Sequence, residues 1–386
     1  MTTHIRGTLG LIALTACLAP APAQAQVPED IYQGLLKIGQ IVDPACTAKL
    51  YRPLMPAVDY NTYWAPNTPA PTGRQPLYPG VTITRDQSFG PHPKDLVDIF
   101  VGESGGANRP VLMWVPGGGG NKIEQQVREA NAFYDNIGRW GTKNGYVVVT
   151  VQRHPGASWD DGGRDIAAAV DWVKANIARY QGDGSRIYIG AHSAGTGPLG
   201  VYVGHPERWA NGVQVKAAFY MSGNPIPSLA AGGRGNAPAQ GAPAPGSACG
   251  TTAAQNGTEG AIAGPSGATP APARQGGPGR GRGGPQLTAA EQAERDNRPG
   301  FEKTNVKIML VRAELDPGVS GDMLPADKAI HDALCALDGA GAKDGVGHCP
   351  AMLYARRHSH MSEVFAFDTP DTTVSAPILA WLRSIP

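Results

Sequence analysis

The chain has 386 residues, of which 17% are charged, and a formal net charge of +1 at pH 7. That length fits one large globular domain or two medium ones, and the balanced charge argues against a nucleic-acid partner, which a basic surface would signal. With 52 Gly and 35 Pro, part of the chain is expected not to fold.

The first 25 residues read as a signal peptide. Arg6 gives a positive start, Gly7 to Ala19 is an apolar run too short to span a membrane, and Ala23-Gln24-Ala25 offers a cleavage site. Leu14-Thr15-Ala16-Cys17 also fits a lipobox, whose product would be a lipid anchor on Cys17. Both readings send the protein out of the cytoplasm, to the periplasm or beyond. In that oxidising setting Cys46, Cys249, Cys335 and Cys349 are expected to pair. Cys335 with Cys349 is the preferred pair, since they flank one Gly-rich turn; a zinc site is the competing use, and no Cys-x-x-Cys spacing supports it.

Residues 26–80 read as an N-terminal extension. EDIYQGLLKIGQIV has helical spacing, and a Pro-rich linker follows it. Residues 81–230 form the first part of the main domain. VTITRDQSF and LVDIFVGE are close enough to pair as a hairpin. After them VLMWV, YVVVTV, RIYIG and KAAFYM are short, continuous apolar runs, as in strands buried on both faces of a parallel sheet. Helical segments alternate with them, among them RDIAAAVDWVKANIARY, so the fold class is α/β with a mostly parallel central sheet and helices on both faces. Residues 231–300 are an insert. From Ala231 to Pro285 it is built largely of Gly, Pro and Ala, has no aromatic residue, and has Ile262 as its one large aliphatic side chain. It cannot bury enough apolar surface to offset its ordering entropy and is expected to be disordered. Residues 301–386 complete the main domain with the strands VKIMLV and AMLYARR and the helix TVSAPILAWLRSI.

Three stretches carry chemistry. In RIYIGAHSAGTG, Ser193 follows a strand and is crowded by Ala191, Ala194 and Gly195, as a sharp strand-to-helix turn that exposes a nucleophile requires. In VPGGGGN, glycines follow a strand and can turn backbone N–H groups toward a developing oxyanion, together with the N–H of Ala194. Asn121-Lys122-Ile123 lacks the ending of a phosphate-binding Walker loop. In RAELDPG, Asp316 follows a strand with Glu314 as its rival, and ARRHSHMS supplies His358 and His360. The order Ser, Asp, His is that of the α/β hydrolases.

Taken together, the RDQSFG and DIFV strands, the glycine loop, GRDIAAAVDWVKANIARYQGD, AHSAG, ELDP and HSHMS resemble the α/β-hydrolase superfamily, in particular bacterial carboxylesterases with an HGGG-type oxyanion loop. The resemblance spans roughly Val81 to Met221 and Val306 to the C-terminus. It implies a serine esterase that forms an acyl-enzyme on small-molecule esters, with no metal and no organic cofactor, and the N-terminal signal makes it an exported one. By the resemblance Ser193 is the nucleophile, Asp316 the acid, and His360 the base, since Met361-Ser362 and a helix follow it. Gly118, Gly119 and Ala194 would donate the oxyanion N–H groups. Asp165 and Asp183 match structural positions and are read as cap or turn residues. Pro116 departs from the family's His, which leaves the donors open, and the insert is too polar for an interfacial lid. Two other readings stay open: an amidase, peptidase or acyltransferase on the same triad, and a non-catalytic binding protein on the same fold.

Overall fold

The computed structural model describes residues 27–55, 78–118, 120, 122, 134–154, 158–229, 296–321 and 323–386. The expected signal peptide, the lipobox cysteine, Cys249 and nearly all of the insert lie outside the described residues.

Eight strands form one sheet in the order β1-β2-β4-β3-β5-β6-β7-β8. They are β1 (Val81–Ser88), β2 (Leu96–Gly102), β3 (Arg109–Val115), β4 (Val147–Val151), β5 (Gly182–His192), β6 (Ala217–Met221), β7 (Lys307–Leu315) and β8 (Ala351–Ser359). β1 and β2 pair antiparallel, as the hairpin reading expects, and β2 also runs antiparallel to β4. From β4 across to β8 every neighbouring pair is parallel. The central strands are apolar on both faces because both faces are covered. Along β3, Leu112 and Trp114 enter one core, while Val111, Met113 and Val115 enter the other.

The helices between the strands are α3 (Asp135–Lys143), α4 (Trp159–Asn176) and α5 (Thr196–Gly204), then α6 (Arg298–Phe301) and α7 (Pro325–Cys335), with α8 (Ser362–Phe365) and α9 (Ser375–Arg383) at the end. α4 starts where Ser158 accepts a hydrogen bond from the Asp161 N–H, a side-chain N-cap. Its buried stripe, with Ile166, Ala169, Val170 and Val173, packs on the sheet at helical spacing.

At its N-terminus the chain differs from the sequence reading. The segment read as an extension holds α1 (Glu29–Ile38) and α2 (Pro44–Tyr51), and both belong to the domain core. Ile31, Leu35, Ala48 and Tyr51 are buried with residues of β8 and the C-terminal helices. The Tyr51 hydroxyl donates to Asp371 at 2.9 Å, and the Arg357 guanidinium lies 4.2 Å over the Tyr32 ring. The periodicity revealed the helix, but a helical stripe does not name the surface it covers.

The far boundary of the insert also differs. Residues 296–300 fall inside the range assigned to it, yet Asn297 is buried and donates to the Pro225 carbonyl at 2.7 Å. Gly300 lies so close to the Gly204 carbonyl that no side chain fits there. These contacts dock α6 on the end of α5. Cys335 and Cys349 are disulfide-bonded, the preferred pair, and Cys46 is also disulfide-bonded. Among the described residues no helix is long and apolar enough to cross a membrane.

Candidate active site

β5 ends at His192, and the chain turns at Ser193 into one turn of 3-10 helix and then α5. Ser193 has φ of +51°, the left-handed region that a side chain enters only under strain. The surroundings hold it there. A Cβ on Gly195 would sit 2.6 Å from the Pro116 carbonyl oxygen and 2.7 Å from that of Val115. Gly195 therefore lets the turn press onto the end of β3. A Cβ on Gly117 would sit 3.0 Å from the Ser193 Cβ, so the glycine loop and the serine are in direct apposition. The Thr196 hydroxyl donates to the Ser193 carbonyl at 2.7 Å and closes the turn. Ala191 lies within β5, fully buried between Val115 and Tyr220. Its methyl packs in the core rather than at the turn, which is why alanine serves there.

The glycine loop follows β3. Gly118 and Gly120 have φ of +49° and +88°, conformations that glycine adopts without a steric penalty. The loop is pinned by a residue that the sequence reading did not single out. Arg153, after β4, donates to the carbonyls of Pro116 at 3.1 Å, Gly117 at 3.4 Å and Gly118 at 3.0 Å. In a trans peptide the N–H points opposite its carbonyl. Arg153 therefore aims the Gly118 N–H away from itself. The Gly117 N–H is taken by the Tyr134 hydroxyl at 2.9 Å. Ala194 is exposed at the start of the turn. Gly119, the third expected donor, lies outside the described residues.

Asp316 follows β7 and His360 follows β8, adjacent strands of the sheet. Their side chains meet, with His360 Nδ1 2.6 Å from Asp316 Oδ1. A donor bond from Nδ1 to a carboxylate leaves Nε2 as the proton-accepting nitrogen. That Nε2 is buried without a hydrogen-bond partner among the described residues. His192, directly before Ser193, bonds through Nε2 to the His360 carbonyl at 2.9 Å, and the two rings are 4.8 Å apart. The loop bearing His360 is thereby fixed to the turn bearing Ser193. Burial opposes ionisation of Asp316, yet His360 and the Arg312 guanidinium hold its carboxyl down to about 2. Burial, with His360 nearby, pushes His192 down to about 3, so it stays neutral. Glu363, on α8, lies 3.9 Å from His192 Nε2, and burial raises its carboxyl well above the ordinary range.

The rivals are engaged elsewhere. His358 is fully buried, bonded to Ser362 at 3.1 Å and to Thr373 at 2.6 Å. Glu314 accepts from the Arg357 N–H at 2.6 Å and faces Tyr32 of α1. Asp183 holds a turn, accepting from the Ser185 N–H at 2.9 Å. Asp165 lies within α4 rather than at its cap and faces His154, with Nδ1 at 3.4 Å. Trp114 and Trp140 are core, while Trp159 is half exposed and packs on Gly197 at the start of α5. Arg312, Asp327, His192 and Glu363 also escaped the sequence reading. A charged residue inside an apolar strand, Arg312 in KIMLVRAEL, was the one available signal.

Comparison with known proteins agrees with this architecture. Residues 97–208 match the BD-FAE family model. Secreted lipase 5 of the fungus Gibberella zeae is 30% identical over 132 residues, 30% of this chain and 23% of that protein, so the chain matches about a quarter of that relative's length. Carboxyl esterase 2 of the mycorrhizal fungus Tuber melanosporum superposes with a TM-score of 0.51 at 14% identity, over 82% of this chain and 90% of the other. Esterase B of Lactobacillus rhamnosis gives 0.48 at 12% identity, over 79% and 86%. The fold is that of the α/β hydrolases. That fold is shared with the carboxyl esterase of Tuber melanosporum.

Proposed function

We propose that the protein is an exported serine carboxylesterase. Ser193 attacks an ester carbonyl, His360 takes its proton through Nε2, and Asp316 fixes the ring and offsets the imidazolium charge. The tetrahedral oxyanion is received by the N–H groups of Gly118, Gly119 and Ala194. His360 returns the proton to the departing alcohol, and water then attacks the acyl-enzyme by the same route. The observation that carries the reading is the 2.6 Å contact between His360 Nδ1 and Asp316, on a loop held against a strained Ser193. The similarity to a secreted lipase and to fungal and bacterial esterases supports ester substrates and export.

The test is hydrolysis of p-nitrophenyl esters of graded acyl length by the purified mature chain. Ser193→Ala is expected to lower kcat by about three orders of magnitude or more. Equal rates for the wild type and Ser193→Ala would overturn the reading. A serine-directed phosphonate should label the wild type once per chain and leave the variant unlabelled.

A further inference from the structure

Behind Asp316 lies a buried charge cluster that the esterase reading does not use. Arg312 stands on β7, 4% exposed, and its guanidinium is shared between two carboxylates. Nε and one terminal nitrogen grip Asp327 at 2.8 and 2.9 Å, while the other terminal nitrogen bonds Asp316 Oδ2. The nitrogen shared with Asp327 also donates to the Gly223 carbonyl at 3.0 Å. Asp327 sits in the first turn of α7, where the helix N-terminus favours a carboxylate. Asp316 is thus held on both sides, Oδ2 by Arg312 and Oδ1 by His360.

Resting on the reading of Asp316 and His360 as acid and base, we propose that Arg312 and Asp327 are positioning residues of that pair. Arg312 locks the rotation of the Asp316 carboxylate, and Asp327 cancels the positive charge that the lock introduces. The charge count gives the reason. Asp316 with Arg312 alone is neutral, so a proton gained by His360 would leave one uncompensated charge in a buried site, which is strongly unfavourable. With Asp327 the cluster carries one negative charge, and the imidazolium brings the site to zero. The other titratable groups packed here do not alter the count. His192, from the end of β5, is kept neutral by burial, and burial raises the carboxyl of Glu363, from α8, well above the ordinary range, which favours its neutral form. Glu314, two residues before Asp316, is turned toward Tyr32 and the Arg357 N–H.

Two single variants make opposite demands. Asp327→Asn keeps the shape and leaves Arg312 unbalanced, so the acidic limb of kcat/KM should move down by about one pH unit. Arg312→Met makes the site more negative, so the limb should move up by a similar amount. The double variant, which restores the net charge, should return the limb to near the wild-type position while kcat stays about tenfold low because the lock is lost. KM should stay within about twofold throughout. Should Arg312→Met fail to fold, Arg312→Lys replaces it: charge is kept and the fork is lost, so kcat should fall while the limb stays. Damage to packing alone does not move a pH limb in two directions.

The downfield NMR signal of the His360 Nδ1 proton, followed against pH, reads the same shifts without turnover, and reads them in Ser193→Ala as well. An inactive wild type whose proton signal shifts as stated would sink the esterase reading and keep the charge lock. Limbs and proton titrations that stay put, or that move the same way in Asp327→Asn and Arg312→Met, overturn the lock.

Discussion

Ser193 offers a clean separation of strain from chemistry. Ser193→Ala and Ser193→Gly both remove the hydroxyl, and they differ only by a Cβ at a residue with φ of +51°. A side chain in the left-handed region costs about 1–2 kcal/mol, a cost that glycine escapes. Against this, glycine loses about 0.5–1 kcal/mol through the greater freedom of the unfolded chain. Ser193→Gly should therefore be more stable than Ser193→Ala by about 0.5–1 kcal/mol. For a domain of this size that is roughly 1–2 °C in Tm. Calorimetry of both variants at one pH, with disulfides intact, is the assay. A Ser193→Ala protein that melts at or above Ser193→Gly would show that the turn stores no strain, and that the glycines around it serve some other end.

Arg153→Gln removes the clamp on three loop carbonyls, so kcat should fall by about 10²-fold, the cost of one lost oxyanion donor, with a smaller effect on KM. A kcat within twofold of wild type would show that the loop holds its own shape. The Asp316 carboxyl is lower in the folded protein than the ordinary 3.8, at about 2. Its stabilisation is therefore complete above the unfolded value and is lost as pH falls from about 4 through 2, on the order of 2 kcal/mol in all. Asp316→Asn should flatten that part of the stability–pH curve measured by urea unfolding, and an unchanged slope would contradict the assignment.

What the sequence made legible was whatever depends on neighbours along the chain. The apolar runs gave the parallel strands, since VVVTV or VLMWV can be buried on both faces and little else. Small residues around Ser193 announced a tight turn, and chain order with a family resemblance separated His360 from His358. Contacts between distant segments were not legible. Nothing in EDIYQGLLKIGQIV says that its buried side packs with residues of β8, and nothing in QRH says that Arg153 will reach back to Gly118. The partners of Arg312 were likewise hidden, because Asp316 and Asp327 are brought to it by the loop and helix that follow β7. Asp165 was misread as a cap because its sequence neighbours look like a helix start, whereas Ser158 begins the helix about two turns earlier.

The stitching of the N-terminal helices to the far end of the chain has a consequence for how this molecule comes into being. Tyr51 waits for Asp371, 320 residues later, and Tyr32 for Glu314, 282 residues later. Contacts of such separation slow folding, because loop closure must precede any gain from them. Ile31, Leu35 and Tyr51 are therefore apolar surface without a home until the last strand and helices have been delivered. Synthesis runs from the N-terminus, so the segments that cover α1 and α2 are made about 300 residues after them. A polypeptide halted before β8 would leave the buried sides of α1 and α2 uncovered.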